Sequence, residues 1–244
     1  VIPGNIGYSQ LYFCVQLNSN FQGIPIEEYT DQLIGTTITG KNSGVKAVVD
    51  KVLKAADSEK GNTTLYINYL NSSTTNNSTQ TFSDGEELSC DTTITSGLLG
   101  NNSIAPGDSF AVTFATAAAQ TGSSFQIQDG IYFIRGNFIN VATETLILDQ
   151  YGTTPSYRVG LFVNEQIINA DLDESLNDNS QGYNNFSAPG ADRLKITVNL
   201  FKKSLTDFDD NNFVELATIE SGTLRSIQRN ANYSQIGDEM ARRT

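Results

Sequence analysis

Histidine and tryptophan are absent from the 244 residues, methionine occurs once, and there are only two cysteines, Cys14 and Cys90. Without histidine no side chain has an ordinary pKa near neutrality, so a Ser-His-Asp triad and histidine-ligated zinc are excluded within the chain. Two thiols can close one bridge at most, too few for a disulfide framework, and buried free thiols are the expected state. Positive charge is also scarce, with 15 Lys and Arg against 27 Asp and Glu, a formal net charge of −12. Binding to a phosphate backbone relies on clustered cations that release counterions, so no nucleic-acid partner is expected. Long apolar runs are missing as well. None approaches the ~20 residues of a membrane-spanning helix, and no basic-then-apolar segment opens the chain, so no membrane partner is expected.

What is present is polar but mostly uncharged. Charged residues make up 17% and hydrophobic residues 38%, and Asn, Ser, Thr and Gly fill much of the remainder, a balance that suits β structure with many turns. Valine, isoleucine, threonine, tyrosine and phenylalanine recur in short alternating runs. The predicted fold is therefore all-β, with two β-sandwich or barrel-like domains over residues 1–120 and 121–230. A short helical segment over 231–244 follows. The chain opens on Val1 rather than Met, and Ser234–Thr244 reads as helix without a stop signal, so further sequence is expected at both ends.

Strands are predicted over Gly7–Leu17, in one or two pieces over Ile24–Thr39, and over Leu65–Leu70. Val45, Val48, Val49, Val52, Leu53 and Ala56 have helical spacing, but their β-branching and the turn chemistry of Lys41–Gly44 favour a long strand. Asn71–Thr81 reads as an exposed loop, Asp84-Gly85 as a turn, Leu88–Thr95 as a short strand and Gly97–Gly107 as loop. Phe110, Val112 and Phe114 alternate as a half-buried strand before a small-residue stretch through Gly122. Gly130–Val141 is predicted to be a hairpin turning at Gly136-Asn137, with Tyr132, Phe133 and Phe138 as core and cross-strand pairs. Leu146–Leu148 and Tyr157–Ile168 follow, then a long acidic loop from Asn169 to Pro189. Leu194, Ile196, Val198 and Leu200 share one strand face, and Phe213–Ile219 pairs with Thr223–Ile227 around Glu220-Ser221-Gly222.

No catalytic, cofactor or metal residue is assigned. Glu86, Glu87, Asp108 and Glu144 are the carboxylates a glycosidase pair could draw on, but they read as exposed acids near turns. Asp171–Asn179 has the alternating oxygen donors of a calcium loop. It carries Leu176 and Gly182 where an EF-hand needs Gly and Glu, so it reads as a solvated acidic loop.

Ordered landmarks run along nearly the whole chain: TGKNSGVKA (39–47), TLYINYL (64–70), FSDGE (82–86), DGIYFIRGNF (129–138), YGTTPSYRVG (151–160), NFSAPGADRL (185–194) and EMARRT (239–244). They resemble a family of domains of unknown function in large tailed-phage structural proteins, frequent in contractile-tailed cyanophages. The resemblance implies a non-enzymatic virion component of the tail, baseplate, neck or fibre apparatus. Its partners would be other virion proteins and copies of itself in a homotrimer. A receptor- or glycan-binding fibre module is the alternative, and an aromatic cluster beside Asn and Asp in one loop would mark it. Loops as long as 169–189 inside compact domains are usually functional, and this one holds aromatics that solvent disfavours. Tyr183, Phe186 and Pro189 are accordingly the interface candidates. Tyr183 and Phe186 would pack on a neighbouring chain or the adjacent domain, or else fold back as a compact Ω-loop, with Pro189-Gly190 turning the chain into the next strand.

Overall fold

A computed structural model describes residues 6–73, 78–95, 103–180, 182–209 and 211–227. The protein is all-β: strand accounts for 54% and helix for 5%, and among the described residues no helix reaches seven residues. The helical segment expected over 231–244 and most of the loop expected over 97–107 lie outside the described residues.

The chain divides into two compact units. The amino-terminal unit comprises Ser9–Ser124 with Ile147–Thr154, and the carboxy-terminal unit comprises Val1–Tyr8, Phe125–Leu146 and Pro155–Thr244. The single cut expected near residue 120 is thus replaced by a division that exchanges two short segments. The reason is that three strands, Ile6–Gln16, Ala119–Ile127 and Glu144–Ile147, each cross the division. Alternation along a strand does not reveal that its two halves join different cores.

The first eleven strands are β1 (Ile6–Gln16), β2 (Asn20–Phe21), β3 (Ile24–Pro25), β4 (Thr37–Gly40), β5 (Lys46–Leu53), β6 (Thr64–Tyr69), β7 (Glu87–Cys90), β8 (Ile94–Thr95), β9 (Ser103–Ile104), β10 (Ser109–Val112) and β11 (Ala119–Ile127). Ile26–Glu28 and Thr30–Leu33 are 3-10 turns rather than strand. The buried residues Ile26, Tyr29 and Leu33 recur at intervals of three and four, whereas a strand would point Ile26 away from the other two. Val45, Ala47 and Val49 are all buried and alternate with exposed or half-buried neighbours, so this run is the strand β5. A bulge between Val49 and Lys51 re-aims Asp50 to accept a hydrogen bond from the Tyr12 hydroxyl. In β10 a second bulge between Ser109 and Ala111 buries Phe110 and Ala111 together, which breaks the expected alternation. Only the end of the small-residue stretch, from Ala119 to Gly122, belongs to β11. A side chain at Gly122 would lie 2.5 Å from the carbonyl oxygen of Gln150 and 2.6 Å from that of Asp149, so the smallness serves a close backbone approach.

The remaining strands are β12 (Gly130–Ile134), β13 (Asn137–Val141), β14 (Glu144–Ile147), β15 (Tyr157–Ile168), β16 (Asn177–Asp178), β17 (Asn185–Pro189), β18 (Arg193–Ser204), β19 (Phe213–Glu220) and β20 (Thr223–Ile227). An eight-stranded sheet runs in the order β10-β7-β4-β5-β6-β1-β11-β14, and a four-stranded sheet in the order β18-β15-β19-β20. The β12–β13 hairpin turns at Arg135-Gly136, not at Gly136-Asn137, and pairs Ile134 with Asn137. Both turn residues have positive φ, 49° and 84°, as a tight two-residue hairpin requires. Ser221-Gly222 closes β19–β20 in the same way, with φ of 48° and 74°.

The stretch from Asn169 to Pro189 is not plain loop. It holds a 3-10 turn at Glu174–Leu176 and the paired strands β16 and β17, and the Gly190 N–H donates to the Leu176 carbonyl at 2.9 Å.

Candidate assembly surface

In the carboxy-terminal unit, β15 and β18 are each 12 residues long and pair along their whole length, from Tyr157↔Ser204 to Ile168↔Arg193. Strand β19 pairs with β15 only from Tyr157 to Phe162. Beyond Val163, whose N–H still reaches the Asn212 carbonyl, β15 and β18 continue as a two-stranded ribbon. A two-stranded ribbon has no third strand to cover it and is marginal alone in water. Along this one, Ile167 and Leu194 sit directly opposite each other and are 67% and 56% exposed. On the face that Leu194, Ile196, Val198 and Leu200 share, Leu200 is buried near the base, Ile196 and Val198 are half-buried and Leu194 is exposed.

The segment at the ribbon's end adds more exposed apolar surface. Leu172 is exposed, Tyr183 is 63% exposed and Phe186 is 70% exposed. Pro189 is exposed at the end of β17, opposite Asn177. Neither aromatic is buried in this chain. Its polar groups cap local turns. Asp173 accepts from the Ser175 N–H at 3.0 Å, and Asp178 accepts from the N–H and hydroxyl of Ser180 at 3.0 Å each. The hydrogen bond from Ser175 holds the Asp173 carboxyl below its ordinary pKa. Among the described residues no three Asp, Glu or Cys side chains converge as a metal site.

The β12–β13 hairpin presents a related face. Phe133 and Phe138 form the expected cross-strand pair, with ring centroids 5.1 Å apart, but both are exposed, as is Ile131 on the same face. Tyr132 points the other way and is buried. Arg135 at the hairpin turn ties it to the ribbon. Its guanidinium pairs with Glu165 at 3.0 Å and donates to the Asn212 side chain at 2.9 Å. Phe162 and Phe201 add a further half-exposed pair, 6.0 Å apart, on the sheet itself.

The candidate carboxylates do different work. Glu86 is fully buried, contrary to its reading as an exposed acid. Its Oε2 accepts from the N–H groups of Asn42 and Ser43, and its Oε1 from the Ser83 N–H and the Ser43 hydroxyl. Glu87 accepts from the Ser109 hydroxyl, and Glu144 from the Leu200 N–H at 2.8 Å. Both cysteines are buried free thiols, and burial pushes the Cys14 thiol up to about 12.

Ile131, Phe133, Phe138, Ile167 and Leu194 were legible only as strand residues. One signal lay in the lengths, since the strand from Tyr157 to Ile168 outruns the neighbour it needs to be covered by.

A family model described as "Domain of unknown function (DUF4815)" matches residues 85–244. That range takes in the landmarks at 129–138, 151–160, 185–194 and 239–244, and leaves out those at 39–47 and 64–70. No curated protein and no solved structure matches the chain.

Proposed function

The chain belongs to the DUF4815 family, and from that premise we propose that it is a non-enzymatic structural component of a tailed-phage virion, acting by protein–protein assembly in the tail, baseplate, neck or fibre apparatus. The phage assignment rests on the resemblance of the landmark segments. The mode of action rests on the ribbon: Ile167 opposite Leu194, both more than half exposed, on a pair of strands that no third strand joins there among the described residues. Exposed apolar surface of this kind marks a protein-interaction site in a chain whose polar surface is otherwise ample. Tyr183, Phe186, Phe133 and Phe138 extend it with the aromatic side chains that carry binding energy at interfaces. The absence of histidine and the engagement of Glu86 and Glu144 as hydrogen-bond acceptors favour a structural role over catalysis. A homotrimer is the proposed assembly.

Immunogold labelling and mass-spectrometric inventory of purified particles test the reading. The expected result is a fixed copy number and label confined to one region of the tail. Absence of the chain from particles purified from cells that express it would contradict the proposal.

A further inference from the structure

In the amino-terminal unit the polar stretch after β6 is pinned at its stem. The Leu70 N–H donates to the Lys46 carbonyl at 2.8 Å, the Lys46 N–H donates to Asn71 Oδ1 at 2.7 Å, and the Ser73 N–H donates to the Thr79 carbonyl at 2.6 Å. Ser73, read from sequence as part of an exposed run, is buried. These bonds set Asn71 and Ser72 beside Gln80 and Thr81. Tyr69 packs edge-on against Phe13 at 5.4 Å and tilts against Phe82 at 5.4 Å. Phe13, Tyr69, Leu70, Asn71, Ser72, Gln80 and Thr81 together line a cleft of about 360 Å³, within the roughly 300–1,000 Å³ of small-molecule sites.

The lining has two chemical halves. Phe13, Tyr69 and Leu70 supply an apolar floor, and Leu70 is 58% exposed. The other four supply amides and hydroxyls. Among the described residues the side chains of Ser72, Gln80 and Thr81 have no hydrogen-bond partner, and Asn71 engages its Oδ1 with the Lys46 N–H, which leaves its Nδ2 to donate. Among the described residues no charged side chain lines the cleft. A phosphate or carboxylate ligand would find no cation there, and a cation would find no carboxylate. A wholly apolar ligand would leave the amides and hydroxyls unpaired, at a cost.

We propose that this cleft binds a neutral saccharide. A pyranose presents a C–H face that lies on apolar and aromatic surface and a rim of hydroxyls that pairs with amides and hydroxyl side chains, which is the division the cleft carries. The stem hydrogen bonds fix the backbone that carries these groups and the Asn71 amide, so on binding the ordering falls on the exposed side chains of Ser72, Gln80 and Thr81. The cleft's residues belong to the amino-terminal unit and those of the assembly surface to the carboxy-terminal unit.

The test is titration of the full chain with maltotriose, cellotriose, chitotriose and mannotriose, each up to ~10 mM, by saturation-transfer NMR and calorimetry, with trigalacturonate as the anionic comparison. At least one neutral trisaccharide is expected to bind. Gln80→Ala and Leu70→Asp, both at exposed positions, are each expected to weaken it about tenfold or more at an unchanged melting temperature. If Leu70→Asp misfolds, Gln80→Ala decides alone. Binding by none of the four, binding unchanged in the folded variants, or binding of trigalacturonate alone would each overturn the proposal. None of these outcomes bears on the virion reading.

Discussion

Glu86 is the residue whose role departs furthest from its sequence reading. Each carboxylate oxygen accepts from two donors, so one side chain joins the turn between β4 and β5 to the segment entering β7. Gly40 makes room for it, since a Cβ there would lie 2.5 Å from Glu86 Oε2. Replacing Glu86 by Gln keeps the shape but turns one acceptor oxygen into a donor facing backbone N–H groups. Glu86→Gln is therefore expected to destabilise the chain by about 2 kcal/mol or more in urea unfolding, with the slope unchanged. A loss below about 0.5 kcal/mol would show that the four bonds contribute little. Sequence could not disclose this role, because Asn42 and Ser43 are more than forty positions away and Glu86-Glu87 beside Asp84-Gly85 has the pattern of a solvated turn.

At the level of elements, strand type was legible where side chains alternate and obscure where backbone geometry decides. Tyr157–Ile168 reads directly as β15, and Thr223–Ile227 as β20, because apolar and polar residues mark their period. β11 was hidden in its first half because Ala119, Gln120, Thr121 and Gly122 carry no apolar period, and the missing side chain of Gly122 answers to the Asp149 and Gln150 carbonyls instead. Gly122→Ala is expected to force β11 away from residues 149–150 and to cost about 1–3 kcal/mol, read as a lowered melting temperature. An unchanged melting temperature would mean that this approach is not tight. The hairpin at Arg135-Gly136 was found with its turn one residue off. Either placement puts glycine at a positive φ, and in the observed one Arg135 at the turn bonds to Glu165 and Asn212.

For the whole molecule, burial concentrates titratable phenols in one unit. Burial raises the pKa of Tyr29 and Tyr69 to about 12, and raises Tyr12 and Tyr66 further, with the Asp50 carboxylate adding to the effect at Tyr12. In the unfolded chain these phenols ionise near ~10. Because the folded values are higher, their contribution to stability is fully present below about pH 10 and is lost as pH rises through about 12 and beyond. Base unfolding is therefore expected, with the absorbance change of these tyrosines appearing together with loss of structure. Smooth titration of all ten tyrosines near pH 10 in a chain that stays folded would contradict the burial. The all-β class was readable from composition and turn spacing. The exposed ribbon was not, since alternation predicts a covered face and only the pairing of β15 with its neighbours shows that the cover stops at Phe162. The assembly claim meets its most direct test in sedimentation velocity of the chain beside a variant carrying Ile167→Lys, Leu194→Lys, Tyr183→Ser and Phe186→Ser. The account predicts a wild-type species near three chain masses and a folded variant at one chain mass with the same melting temperature. A wild-type chain that stays monomeric at every concentration, or a variant that still sediments as the trimer, would contradict it.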